Sequence, residues 1–506
     1  ASLAVDVLKL GEPFKTLECR PAALDDATLW AVLWLIQRAT AGALQRVVFR
    51  WSREVYSLRD REGMVNSAHR VFSRLLRVCA GRDDVEVCFE SEAWGYWDVN
   101  REEAPFIHQV VAQPVQGDGT SRELIQTLES IRTVAAPTSF TPRPDEFTGS
   151  KISRLDLIGS VGLSRTWYPT VTALLLSSVD TLTHLTLTNV GLRHYDWEQI
   201  IPHWKFNNLT VFEAGNAQIP ARDLLEFLWR HPSLEKVDIS HVTAIGKVDL
   251  GPVVQAAGEG EFWRFMREVK ELGATSEFLV PLLSQGLTMG EDEAIEEGKS
   301  TAKILMPQLQ TLLLARGNEL STPIPLDGFS TVLDLVAQRQ RIGSPDVGSI
   351  SSLTLRVDLV GVALLGWIHD LLGVKDSQDS PDPYLDSLPL ANHQPHPNRA
   401  SIPLSRTIAT LSSIKELTLE GFEPPPYHQL VANTRAPLSI ALIRKLVAAF
   451  PVVETLCVAD TLFQPIPEME DMEKEIDGWW RECKTLRSIR MESGDGSWEW
   501  ERPARR

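Results

Sequence analysis

The sequence predicts an α/β fold assembled from repeats. Three observations carry that expectation: a recurring apolar hexamer, helices that stop at a proline on the threshold of the next strand, and a composition able to bury a large core. The hexamer has apolar residues at its first, fourth and sixth positions. It occurs as Val5-Leu8-Leu10, Leu44-Val47-Phe49, Ile152-Leu155-Leu157, Leu182-Leu185-Leu187, Leu234-Val237-Ile239, Leu309-Leu312-Leu314, Ile350-Leu353-Leu355, Ile414-Leu417-Leu419, Val453-Leu456-Val458 and Leu486-Ile489-Met491, with Leu209-Phe212-Ala214 a weaker member. Alternate residues of a strand share a face, so positions four and six point into one core. This is the core pattern of a leucine-rich repeat.

Three fixed apolar sites recur by chance roughly a dozen times in a chain of this size, so the hexamer needs its context. Two stretches supply it. Asp223 to Ile239 and Leu442 to Val458 align with proline, strand core and helix face in register, the prolines being Pro232 and Pro451. Proline removes a donor and disfavours helix in the residue before it, which ends each helix where the strand begins. Trp479 to Ile489 keeps the helix-then-strand order without a proline. Asn189 and Asn216 fall at position eight, one short of the usual buried asparagine, which puts an asparagine ladder in doubt here.

Units starting at Leu182, Leu209 and Leu234 fit the usual repeat length of roughly 20–29 residues. Elsewhere the starts lie further apart. The expectation is one irregular leucine-rich-repeat solenoid, a horseshoe over residues 1–506 with about 11–12 helix–strand units. Its insertions or loops are placed at 93–143, 251–303, 317–348 and 374–404, and a degenerate strand at Val85 to Phe89 after a helix over 62–80. The stretch 376–399, rich in proline and aspartate, reads as a mobile loop.

Composition sets outer limits. The chain has 506 residues, 43% of them apolar, and a net charge of −17. That apolar share supports a packed core, and that charge argues against nucleic acid as a partner. No window reaches 18 uninterrupted apolar residues, so no membrane span is expected. The start at Ala1 lacks the basic flank and apolar run of a secretory signal. Five cysteines are too few and odd in number for a disulfide framework, which points to a reducing, intracellular location, cytoplasmic or nuclear.

Motifs of catalysis are absent: no G-x-S-x-G, Walker loop, H-E-x-x-H, C-x-x-C or G-x-G-x-x-G occurs. Asp238, Ser240 and His241 have the residue types of a hydrolytic triad, but two of them share a strand face without a base in reach. His393 and His396 lack a third ligand for zinc, and Asp376, Asp379, Asp382 and Asp386 lack the glycine and final glutamate of a calcium loop. Cys79 and Cys88 read as buried thiols. No cofactor and no metal is expected, and the chain reads as a non-enzyme.

Fifteen tryptophans divide into two sets. Trp30, Trp34, Trp229, Trp263 and Trp367 lie in apolar helix contexts and read as core. Trp498 and Trp500 read as a cap on the final repeat, and Trp94 and Trp97 as anchors for a partner. Arg70, Arg74 and Arg77 recur at helical spacing and form one basic ridge, either a solvated outer face or a contact for an acidic partner.

Residues 224–240 resemble the helix–strand repeats of fungal F-box/leucine-rich-repeat-like proteins, and residues 479–498 are similar to the closing repeat of basidiomycete members. The resemblance implies substrate recognition by the horseshoe and an F-box docking onto the Skp-type linker of a ubiquitin ligase. No F-box is visible in this chain, so that linker is expected as a partner only if an F-box precedes residue 1.

The functional expectation is a non-catalytic protein–protein interaction scaffold, the substrate-recognition part of an F-box-type ubiquitin ligase adaptor if the resemblance extends to function. Outward strand positions line the concave face of such a solenoid. They are Arg46, Arg50, Arg154, Asp156, His184, Thr186, Glu213, Asp238, Arg356, Glu420 and Arg490. Charges mixed with small hydroxyls suit a protein surface better than a small apolar ligand. Two alternatives stand beside it: an enzyme whose site is built in an insertion, and a structural subunit with one permanent partner.

Overall fold

The computed structural model describes residues 15–19, 26–39, 44–51, 72–91, 149–163, 168–192, 197–198, 200–257, 264–288, 305–315, 327–342, 349–358, 404–422, 440–459, 469–493 and 496–503. The chain is mixed α/β and divides into two compact units, Ala1–Met266 and Arg267–Arg506.

In the first unit the described strands are β1 (Thr16–Cys19), β2 (Arg46–Trp51), β3 (Glu86–Ser91), β4 (Arg154–Ile158), β5 (His184–Thr188), β6 (Val211–Gly215), β7 (Ala217–Pro220), β8 (Lys236–Ile239) and β9 (Val242–Ile245). Helices α1 (Asp26–Arg38), α2 (72–80), α3 (Tyr168–Ser177), α4 (Ala221–Arg230) and α5 (Gly251–Ala257) lie between them in sequence. Strands β1-β2-β3-β4-β5-β6-β8 are neighbours in that order and parallel, while β7 and β9 form a small parallel pair of their own. Parallel neighbours require a crossover, and the intervening helices and 3-10 turns supply it.

In the second unit the strands are β10 (Glu271–Thr275), β11 (Thr311–Ala315), β12 (Ser352–Asp358), β13 (Glu416–Phe422), β14 (Thr455–Ala459), β15 (Ser488–Ser493) and β16 (Gly496–Glu501). Its helices are α6 (Ser276–Thr288), α7 (Asp327–Ile342), α8 (Leu404–Ala409), α9 (Ile440–Ala449) and α10 (Met469–Glu482). Strands β10 to β15 run parallel in sequence order, and β16 closes the series antiparallel to β15.

Register explains why the hexamer recurs. Val47 pairs with Val87 and Phe49 with Phe89, and the same two columns continue through Leu155 and Leu157, Leu185 and Leu187, and Phe212. In the second unit the columns run through Leu312 and Leu314, Leu353 and Leu355, Leu417 and Leu419, Leu456 and Val458, and Ile489 and Met491. All of these side chains are buried. A second repeating device precedes nine of the described strands: the carbonyls of Lys15, Ser153, Thr183, Thr210, Lys270, Gln310, Ser351, Lys415 and Glu454 each accept two consecutive N–H groups from the following strand's start. One carbonyl with two lone pairs thereby fixes the next unit without a side chain being needed.

The helix-stop expectation holds at both aligned stretches, where α4 ends before Pro232 and α9 before Pro451. In the parallel series β1 and β10 lie outside both the hexamer set and the degenerate strand expected at Val85 to Phe89, which is β3. In β1 the inward pair is Leu17 and Cys19, and in β10 it is Leu272 and Ala274, small or sulfur-bearing residues that fill the same columns. Residues 251–303, assigned to an insertion from sequence, hold α5, β10 and α6, and 317–348 hold α7, whose buried Phe329, Val332, Leu333 and Val336 form a core stripe at helical spacing. Segment 93–143, residues 374–403, the first hexamer at Val5, and Trp94, Trp97, Trp263, Trp367, His393 and His396 lie outside the described residues.

Tryptophan placement differs from the expected core role. Trp30 is 64% exposed and Trp34 58%, one turn apart on α1, because Leu29, Leu33 and Ile36 form its buried stripe instead. Trp229 is only half-buried. All five cysteines are free thiols. No helix among the described residues is long and apolar enough to cross a membrane.

Candidate functional site

The outward positions of the strands carry the candidate residues, and the register sorts them into columns. Arg46 opposes Glu86, and Arg154 opposes His184. Cys88, Asp156, Thr186, Glu213 and Asp238 form the next column. Arg50 opposes Glu90. In the second unit Arg356 opposes Glu420, and Arg490 lies on β15 beside Cys457 of β14. Ten of the eleven predicted residues point outward with at least partial exposure.

Asp156 is the exception and corrects the expectation. Its side chain is only 6% exposed, because Arg46 lies over it and donates from Nη2 to Oδ2 at 3.0 Å. Its carboxylate therefore helps to order the face through Arg46. Asp238 is also engaged locally: its Oδ1 accepts the Ser240 N–H at 3.0 Å, a strand-end turn, while Ser240 is buried.

Charges on this face are paired across strands. Arg50 donates to Glu18 Oε2 at 3.0 Å and to Glu90 Oε2 at 2.8 Å, bridging β1, β2 and β3. Arg46 Nε and Arg154 Nε each lie 3.4 Å from Glu86 Oε1, and Arg154 Nε lies 3.7 Å from Asp156 Oδ1. Lys236 Nζ is 2.8 Å from Glu213 Oε1. Arg356 Nε donates to Glu420 Oε2 at 2.7 Å, and Arg490 sits 3.3 Å from Glu492. Opposed charges on neighbouring strands contribute a few tenths to about 1 kcal/mol each, so their first effect is to order the face.

Electrostatics single out β2 to β4. Burial, the adjacent Asp156 carboxyl and its negative charge push the Glu86 carboxyl up to about 7. Burial pushes the Cys88 thiol beside Arg46 up to about 11. His184, whose Nδ1 is 2.7 Å from Thr183 Oγ1, is pushed down by burial and by Arg154, which favours neutral imidazole. Thr186 adds an uncharged hydroxyl between Asp156 and Glu213.

Glu18, Glu86, Glu90 and Lys236 belong to the face and escape the sequence-derived set. The signal was present, since Glu86, Cys88 and Glu90 alternate with the inward Val87 and Phe89. Among the described residues no group of three or more metal-ligating side chains converges. No protein-family model matches this chain, and neither does any curated protein.

Proposed function

We propose that the chain is an irregular leucine-rich-repeat solenoid acting as a non-catalytic protein-interaction scaffold, with the outward strand face as its contact surface. The observation that carries this reading is the face itself: polar side chains from consecutive parallel strands, ordered by cross-strand ion pairs such as Arg50 with Glu18 and Glu90. A pre-ordered polar surface loses little side-chain entropy on binding, and complementary charge selects the partner. Five free cysteines support an intracellular setting. The role of substrate receptor in an F-box-type ligase rests on the resemblance of residues 224–240 and 479–498 alone.

The test compares the wild-type chain with a face variant, Glu90→Lys with Glu213→Lys, and a helix-side variant, Lys445→Glu, by affinity capture from cell extract. Polypeptides retained by the wild type and the helix-side variant but lost from the face variant are the expected result. Equal retention by all three overturns the proposal. Binding of the longest native form of the chain to a Skp-type linker decides the ligase role separately.

A further inference from the structure

We propose that the outward face of β2 to β4 receives a basic segment of a partner protein, whose lysine or arginine donates to the buried oxygens of Glu86 and Asp156 that lack a hydrogen bond. The inference rests on the interaction-face reading and adds the partner's chemistry and its coupling to pH.

Geometry at the cluster is the starting point. Glu86 on β3 and Asp156 on β4 are caged by Arg46 and Arg154, yet Glu86 Oε1, Asp156 Oδ1 and Arg46 Nε are buried without a hydrogen bond. The guanidinium nitrogens stand at 3.4 and 3.7 Å, close enough for ion pairing but not aligned to donate. Two adjacent carboxylates with unmet acceptors are costly in a half-buried setting. A proton shared between them removes one charge and supplies a donor, which agrees with the elevated Glu86 affinity for a proton. A partner cation does the same work and displaces that proton to solvent.

Charge on the rest of the face selects the sign. From β1 to β8 the outward cations are Arg46, Arg50, Arg154 and Lys236. Against them stand the carboxylates of Glu18, Glu86, Glu90, Asp156, Glu213 and Asp238. The groups nearest the shared proton are Arg46 from β2, Cys88 and Glu90 from β3, Arg154 and Asp156 from β4, His184 from β5 and Glu213 from β6. Cys88 and His184 are both held towards their neutral forms, so neither changes the balance near pH 7. The excess is acidic, and a complementary partner is basic.

Calorimetric titration of the full chain with a hexa-arginine peptide at pH 7, in two buffers of different ionisation enthalpy, tests this. The expected result is release of a fraction of one proton per peptide, with affinity rising as pH goes from 6 to 8. Glu86→Gln weakens binding about tenfold and removes the buffer dependence. Asp156→Asn, a second isosteric variant, also removes the buffer dependence, with folding of both checked by circular dichroism. Glu499→Gln on β16 leaves both readouts unchanged. Equal weakening by Glu86→Gln and Glu499→Gln identifies general attraction to an acidic protein and overturns the inference, as does binding without proton release. If partner capture is lost with Glu90→Lys and Glu213→Lys while proton release is absent, this inference fails alone. Capture indifferent to the face overturns the interaction-face reading as well.

Discussion

His231 shows how a single polar residue is accommodated in an apolar ladder. It occupies the pre-strand position that Phe206, Met266, Met306, Leu411, Phe450 and Cys483 fill elsewhere, and it is fully buried. Its Nδ1–H donates to the Phe227 carbonyl at 2.7 Å, and its Nε2 accepts the Phe206 N–H at 2.9 Å. Both ring nitrogens are thus used by the neutral form, and burial pushes its pKa down to about 4. The unfolded chain takes up this proton near pH 6.5, so stability falls as pH drops from about 6.5 to about 4, by about 3 kcal/mol for this group. Unfolding midpoints across that range check it, and His231→Phe is expected to flatten the slope. Arg339 is the cationic counterpart. It is 2% exposed and donates to the carbonyls of Leu305 and Met306 ahead of β11, so Arg339→Met is expected to cost about 1–3 kcal/mol in denaturant unfolding. At this scale the sequence is only partly legible. The outward direction of Arg154 or Glu213 follows from alternation, whereas the burial of Asp156 does not, because Arg46 covers it from 110 residues away.

Strands were legible where both inward residues are large. The columns through Leu155, Leu185 and Leu417 announce themselves, whereas β1 and β10 use Cys19 and Ala274 at the same places. Volume lost at one column position is tolerable when neighbouring strands supply bulk, so packing admits what a fixed pattern rejects. The helix faces misled for a related reason: α1 is apolar around most of its circumference, and only its packing shows that Trp30 and Trp34 lie on the exposed side. Asparagine at position eight has a different explanation. Asn189 and Asn216 have φ of 55° and 50°, ending β5 and β6 in the left-handed region, and Asn216 Nδ2 donates to Asn189 Oδ1 at 3.0 Å. Asparagine tolerates that conformation better than other residues with a side chain. Asn216→Gly is therefore expected to stay within about 0.5 kcal/mol of wild type, and Asn216→Val to lose about 1–2 kcal/mol. Thermal unfolding of the two variants checks this. Equal stability would mean that strand-end backbone strain has no weight here.

An array of parallel strands buries its columns only if its last member is covered, and the second unit meets this need with β16. Trp498 lies opposite Met491 and Trp500 opposite Ile489, so both indoles extend the apolar columns of the final parallel strand. Arg502 fastens the hairpin, its Nη1 donating to the Lys484 carbonyl at 2.5 Å and its guanidinium lying 5.9 Å from the centre of the Trp480 ring. The sequence-based expectation of a capping pair agrees with this register. In a nearest-neighbour array, stability lost at the end propagates inward with decreasing effect. Trp498→Ser with Trp500→Ser is expected to remove about 2–4 kcal/mol of apolar burial from the end of the second unit. Amide hydrogen exchange should then show the largest loss of protection in β15, less in β14 and β13, and little at β10. The uncovered edge also favours pairing with another chain, so the variant should self-associate in size-exclusion chromatography at concentrations where the wild type does not. A uniform loss of protection from β10 to β15 would instead show that the second unit unfolds as one cooperative block, in which the cap has no local role.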